Sequence, residues 1–150
     1  MEWLKALRYK TVGLDTAPLI YYIEENPAYL PVVQPFFESL DRGEFQVVTS
    51  TITLLEVLVH PIRRNNPHLA RQYRNILLNA EGLDTLHLDA DIAEHAARLR
   101  GEHNIRTPDA IQMATAIHAG ALYFLTNDAA LPELPNLSVL LVDDLRKERQ

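Results

Sequence analysis

Apolar positions along the chain follow two alternating periods. Thr11-Val12-Gly13-Leu14-Asp15 is a short apolar run ending on an acid, the mark of a buried strand. Residues 17–25 then change to a helical period, with Pro18 in the first turn, where a missing N–H does no harm. Residues 31–42 predict a second helix, closed by Gly43. Residues 45–49 predict a strand, and Ser50 and Thr51 then cap a helix expected to run to about His60, where Pro61 disturbs it. Residues 68–79 are helical in period, and residues 83–88 predict a strand. Residues 89–103 form an amphipathic helix with Ile92, Ala93, Ala96, Ala97 and Leu99 on its inner side. Thr107-Pro108 opens a helix that continues to about His118 and is followed by Gly120. Residues 122–125 predict a strand, Asn127-Asp128 a turn and residues 139–142 the last strand. The densely charged residues 143–150 predict a solvated tail.

Short strands alternating with helices predict an α/β fold, a three-layer α/β/α sandwich with a mostly parallel central sheet. No repeat, low-complexity stretch or linker interrupts the pattern, and 150 residues suit one domain spanning 1–150.

Composition narrows the chemistry. A 47% hydrophobic and 23% charged content is that of a globular chain and argues against disorder. The absence of cysteine excludes a disulfide scaffold, a thiolate metal site, an iron–sulfur cluster and a cysteine nucleophile. A net charge of −6 excludes nucleic-acid binding through overall positive charge and leaves a local basic patch or a bound metal as the routes to an anionic partner. Residues 1–10 carry no signal-peptide pattern and no apolar stretch approaches bilayer length, so the expectation is a cytoplasmic protein that does not engage a membrane.

In a parallel α/β sheet, ligands bind beyond the carboxyl ends of the strands. Asp15 ends the first strand, Asp128 follows the strand at 122–125, and Asp109 lies in the first turn of the helix feeding that strand. Each has an ordinary alternative: Asp15 as a turn residue, Asp109 as a helix-dipole partner, and Asp128 as the cap of a short helix over 129–131. Glu56 differs, because it sits in the apolar run Ile52-Thr53-Leu54-Leu55-Glu56-Val57-Leu58-Val59 with no Lys or Arg one turn away. A buried carboxylate there meets a distant arginine such as Arg106, stays protonated, binds a cation or is partly exposed. Four carboxylates at one sheet edge repel one another unless something positive sits among them. Oxygen-only ligation without cysteine selects a hard ion, Mg²⁺ or Mn²⁺. Such an ion lowers the pKa of a water that attacks a phosphodiester and neutralises the charge developing on phosphorus.

At these residues the sequence resembles the PIN-domain nucleases. The resemblance rests on Leu14-Asp15-Thr16 with Leu19-Ile20, on the helix Thr51-Ile52-Thr53-Leu54-Leu55-Glu56-Val57-Leu58, on Thr107-Pro108-Asp109-Ala110-Ile111-Gln112-Met113-Ala114-Thr115-Ala116, and on Leu125-Thr126-Asn127-Asp128. Each piece alone is weak, but four in order cover nearly the whole chain. The size also resembles the small VapC-type toxin ribonucleases of toxin–antitoxin pairs. The resemblance implies a metal-dependent endoribonuclease with Asp15, Glu56, Asp109 and Asp128 as its acidic quartet. Asp15 and Asp109 would touch the ion, Glu56 and Asp128 would act directly or through water, and Thr16 or Thr126 would match a supporting hydroxyl. Ala17-Pro18 departs from the small polar and aliphatic pair common in the family, which puts a hydroxyl contact at position 17 in doubt but not the quartet.

Residues 60–74 contain Arg63, Arg64, Arg71 and Arg74 and no acid. This basic stretch is a candidate to hold RNA phosphates, against the plainer reading of a solvated loop and helix face. The resemblance further implies a homodimer and a cognate antitoxin protein as partners. Tyr21 and Tyr22 either line the cleft or pack between helices, and the six histidines show no metal spacing. Two other folds with acid-tipped strands fit poorly. A haloacid-dehalogenase-like phosphatase needs a second acid where Ala17 stands, and a response-regulator receiver needs a late lysine that the segment 125–128 does not supply. The remaining alternatives are a catalytically silent PIN-fold interaction module and a PIN nuclease of RNA processing.

Overall fold

The computed structural model describes residues 1–149, and of Arg149 the backbone alone. Five strands form one sheet in the order β3-β2-β1-β4-β5. They are β1 (Thr11–Leu14), β2 (Gln46–Ser50), β3 (Leu83–Leu86), β4 (Tyr123–Thr126) and β5 (Ser138–Leu141). Every neighbouring pair is parallel, with Val12 registered against both Val47 and Tyr123. The sheet is therefore wholly parallel, which requires helices on both faces.

The helices are α1 (Glu2–Ala6), α2 (Thr16–Ile23), α3 (Leu30–Asp41), α4 (Thr51–Arg63), α5 (Pro67–Asn79), α6 (Ala90–Glu102), α7 (Thr107–His118) and α8 (Val142–Arg149). The strand period of two sorts the side chains into two cores. Val12, Leu14, Val47 and Leu125 face the core shared with α1 to α5 and α8, while Val48 and Phe124 face α6 and α7. This is the three-layer α/β/α arrangement that the alternating pattern implies.

Gly13 sets how closely one layer approaches. A Cβ there would lie 2.6 Å from the Ala116 Cβ and 2.8 Å from the Phe124 Cδ1. Glycine thus lets α7 lie directly on β1, which brings the first turn of α7 over the end of that strand.

Four expectations need correction. On α6 the inner side is narrower than expected: Ile92, Ala96 and Leu99 are buried, whereas Ala93 and Ala97 are exposed. Helix α4 does not stop near His60 but runs through a buried Pro61 to Arg63. The ring removes one N–H close to the helix end, and the backbone recovers at once, with Arg64 N–H bonded to the His60 carbonyl at 3.0 Å. Residues 143–149 form no solvated tail: β5 passes directly into α8, whose Val142 and Leu145 are buried. Gln150, the last residue of that stretch, lies outside the described residues. No short helix follows Asp128; its Oδ1 instead accepts the Ala130 N–H at 2.9 Å in a local turn. Among the described residues no helix is long and apolar enough to cross a membrane.

Candidate functional site

The chain reverses its direction of travel across the sheet at β1, whose neighbours are β2 and β4. Such a switch point leaves a crevice beyond the carboxyl ends of the two central strands. Here it is a cleft of about 240 Å³ lined by Asp15, Thr16, Ala17, Ile20, Tyr21, Glu56, Arg106, Asp109, Asn127 and Asp128. Four acids separated by up to 113 positions along the chain therefore line one cavity.

Asp15 is the N-cap of α2, with extended backbone and its Oδ1 accepting the Thr16 N–H at 2.7 Å. Its Oδ2 accepts the Thr126 hydroxyl at 2.6 Å, a bond that spans the ends of β1 and β4. The turn residue and the cleft acid are thus one side chain. Burial, the largest influence, pushes the Asp15 carboxyl up to about 6; the Thr126 and Thr16 hydrogen bonds pull it down, and the charges of Asp109 and Glu56 raise it. Thr126 also accepts the Asp128 N–H at 3.1 Å, which ties the loop after β4 to the same carboxylate.

Glu56 is half-buried on the second turn of α4. Among the described residues it meets no arginine by hydrogen bond; its Oε1 accepts the Thr16 hydroxyl at 2.8 Å and the Gln112 amide at 3.4 Å. Asp109, buried in the first turn of α7, takes the arginine instead: Arg106 Nε donates to its Oδ2 at 3.2 Å. That guanidinium is held above its ordinary pKa, first by the charge and hydrogen bond of Asp109 and further by Glu56 and Asp128.

Gln112 is the member of the site for which the sequence reading gave no role. It is buried, and its Nε2 donates to Thr53 Oγ1 at 2.8 Å and Thr16 Oγ1 at 3.0 Å. Thr53 in turn shares a 2.8 Å bond with Thr49, whose hydroxyl donates to the Leu14 carbonyl at 2.9 Å. One direction satisfies the whole relay: amide to Thr53 to Thr49 to backbone, and amide to Thr16 to Glu56. Among the described residues the Gln112 Oε1 has no partner. A lone amide inside Ala110-Ile111-Gln112-Met113-Ala114 was the available signal, since a polar group on a buried helix face needs partners.

The two tyrosines divide. Tyr21 lines the cleft, its hydroxyl accepting the Asn127 amide at 3.0 Å and its ring stacked on Tyr29 at 4.2 Å. Tyr22 packs on Phe37 at 4.2 Å. Arg63, Arg64, Arg71 and Arg74 are all exposed on α4, its end and α5, and among the described residues none is ion-paired. They do not line the cleft.

The donor set suits a hard cation. It contains oxygen donors and no thiolate, a buried acid that neighbouring charges make costlier to ionise, and one oxygen on each of Glu56, Asp109 and Asp128 free of hydrogen bonds among the described residues. The arrangement does not yet present that set: among the described residues no three His, Cys, Asp or Glu side chains are arranged to hold a metal ion. Each acid is held by a local donor, and Asp109 faces a guanidinium.

The PIN domain family matches residues 12–137. No curated protein matches the chain in sequence. Among solved structures, the chain is similar to VapBC2 of Rickettsia felis bound to a DNA fragment from its promoter, at a TM-score of 0.68 and 20% identity, covering 87% of this chain and 98% of that one. It is similar to a toxin–antitoxin complex of Klebsiella pneumoniae, at a TM-score of 0.61 and 24% identity over 85% and 94% of the two chains. It is also similar to VapC20 of Mycobacterium tuberculosis, a sarcin–ricin loop cleaving toxin, at a TM-score of 0.62 and 20% identity over 75% and 86%. At these identities the structures establish a shared fold.

Proposed function

The chain belongs to the PIN domain family, and from that premise we propose that it is a divalent-metal-dependent endoribonuclease acting as the toxin of a toxin–antitoxin pair. The observation that carries this reading is the meeting of Asp15, Glu56, Asp109 and Asp128 at one switch-point cleft. Asp15, Asp109, Glu56 and Asp128 would hold the ion, Mg²⁺ with Mn²⁺ as a substitute. Such an ion supplies charge neutralisation at the phosphate and an acidified water, chemistry that carboxylates alone do not offer.

The chain's own residues do the positioning. Asp15 is fixed by two donors on two elements, so its oxygens are not free to swing. Thr16 donates to one oxygen of Glu56 and leaves the other to orient a water molecule. Thr126 orders both Asp15 and the backbone at Asp128. The exposed arginines of α4 and α5 offer phosphate contacts outside the cleft, and single-stranded or looped RNA suits the site because its bases are unstacked.

The partners follow from the same reading. Toxin–antitoxin assemblies among the similar structures support an antitoxin protein as partner. Leu55 and Ile62 stand 62% and 67% exposed at seven-residue spacing on α4, an apolar stripe that supports a homodimer. Residues 1–150 are read as one such domain, working in the cytoplasm.

RNA cleavage tests the proposal. The protein is incubated with structured RNA with and without EDTA, beside Asp15→Asn and Asp109→Asn. Cleavage that survives EDTA, or that both variants retain, would remove the mechanism and favour the interaction-module reading. Expression with and without the neighbouring gene product tests the toxin role, and unimpaired growth on expression alone would favour RNA processing.

A further inference from the structure

The acids of the cleft already have one cation, and it belongs to the chain. Among the described residues Arg106 is the one basic side chain lining the cavity, beside four carboxylates. Its partner Asp109 is 8% exposed at the side chain while Arg106 is 75% exposed. This asymmetry decides which group is replaceable. A buried carboxylate is costly to hold ionised without a positive neighbour, whereas an exposed guanidinium loses little by returning to water.

The backbone beneath Arg106 is pinned, so that any exchange concerns its side chain. From α6, Arg100 donates to the Ile105 carbonyl at 3.0 Å and to the Thr107 hydroxyl at 2.9 Å, on either side of position 106. Pro108 stiffens the next step. The Arg106 carbonyl accepts the Ala110 N–H at 3.0 Å, so position 106 is also the first link of α7. The guanidinium therefore moves on a fixed base at the mouth of the cleft.

We propose that Arg106 is an internal counter-ion that occupies Asp109 until a divalent cation arrives, and that it then turns to a phosphate of the RNA. The proposal rests on the reading of Asp109 as an ion ligand. It accounts for why the acids line one cavity without being arranged to hold an ion: Asp109 is engaged by an arginine. It also gives the ion-free cleft a defence against its own repulsion. Once an ion holds Asp109, the released guanidinium sits at the cavity wall with planar donors suited to phosphate.

The test reads the ion first. Binding of Mn²⁺ alone is measured by titration calorimetry for the native chain, Arg106→Gln, Arg106→Lys and Asp109→Asn. Arg106→Gln should bind Mn²⁺ more tightly by about five-fold, the worth of one exposed ion pair, with Arg106→Lys in between. Equal or weaker binding by Arg106→Gln overturns the counter-ion role. If Asp109→Asn binds Mn²⁺ as well as the native chain, the reading of Asp109 as a ligand fails, and the inference falls with it. The second readout is the affinity for a hydrolysis-resistant phosphorothioate RNA against salt. With Mn²⁺ present, Arg106→Gln should flatten the dependence by about 0.7 in log–log slope, one phosphate contact on a single strand, and in EDTA it should change nothing. A slope unaltered by the ion, or altered in EDTA as well, overturns the phosphate role. Without its counter-ion the ion-free Arg106→Gln chain should melt lower than the native chain, and a native far-UV circular dichroism spectrum with a single cooperative melt confirms that it folds.

Discussion

The inner wall of the cleft, where Asp15 and Asp109 are 8% and 6% exposed, and its outer rim, where the Arg106 side chain is 75% exposed, are held by different forces. The wall is a network of hydroxyls, one amide and strand-end backbone, in which Thr126, Thr16, the Gln112 amide nitrogen, Thr53 and Thr49 each have a fixed partner. The rim consists of Arg106, Asp128 and Tyr21, with contacts that water can replace. Sequestration makes charge expensive, so the wall can tune an acid, whereas the rim can only steer and exchange ligands. The wall should therefore carry chemistry and stability together, and the rim affinity alone.

Exchanging one acid on each side gives the largest expected contrast. Asp15→Asn should lower RNA cleavage at saturating Mg²⁺ by about 10³-fold, the scale of removing a preorganised charged group at a reacting centre. Asp128→Asn, on the half-exposed side, should cost only about ten-fold. Single-turnover rates compare them, and equal losses would dissolve the distinction between wall and rim.

Next in size is a pH effect confined to the wall. In the ion-free protein the Asp15 carboxyl is raised from 3.8 to about 6, chiefly by burial. Between those values the folded state holds the proton more tightly than the unfolded chain. Its contribution to stability is full below about pH 4 and is lost as the pH rises through 6, in total about 3 kcal/mol. Urea unfolding in EDTA at pH 4.5 and 7.5 should show the native chain losing stability relative to Asp15→Asn across that interval. A constant difference between the two proteins would mean that the wall does not tune this acid.

Gly13 tests what brings the wall together. Gly13→Ala places a methyl 2.6 Å from Ala116, so α7 must back away from β1, at a cost of about 1–3 kcal/mol in unfolding free energy. Because α7 carries Asp109 and Gln112, the same change should weaken Mn²⁺ binding. A destabilised variant with native ion affinity would show that the wall tolerates a shifted helix.

How much of this was legible follows the same division. Strand runs, caps and the glycine after α3 gave the alternation of β and α elements, because each is a local signal. The acids at strand ends were legible because topology rules say where the open edge of a parallel sheet lies. The partners were not. Asp15 could be read as a turn cap or a site acid, and it is both. Arg106 was in view only as a remote candidate for Glu56, and it pairs instead with Asp109, three residues along its own chain. Helix α8 was hidden because Val142 and Leu145 give one apolar repeat, too short a period to stand out from a charged tail. Pro61 misled because a proline's cost depends on how near the helix end it falls.

The smallest expected effect lies beyond the rim. Arg63 follows Glu56 by seven residues on α4, so it stands on the same stripe of the helix about 10 Å along the axis. Arg74 lies on α5, a different helix. If RNA leaves the cleft past Glu56 and runs along α4, Arg63→Gln should weaken binding by about two- to three-fold at low salt, and Arg74→Gln by less. Both effects should vanish near 0.5 M salt, where about 4 Å of screening length isolates an exposed charge from a phosphate. Neither change should touch the cleavage rate of bound RNA, because no exposed arginine on α4 or α5 reaches the inner wall. A loss in that rate for Arg63→Gln would extend the working part of the site from the cleft to the helix surface, and the line drawn at the rim would have to move outward.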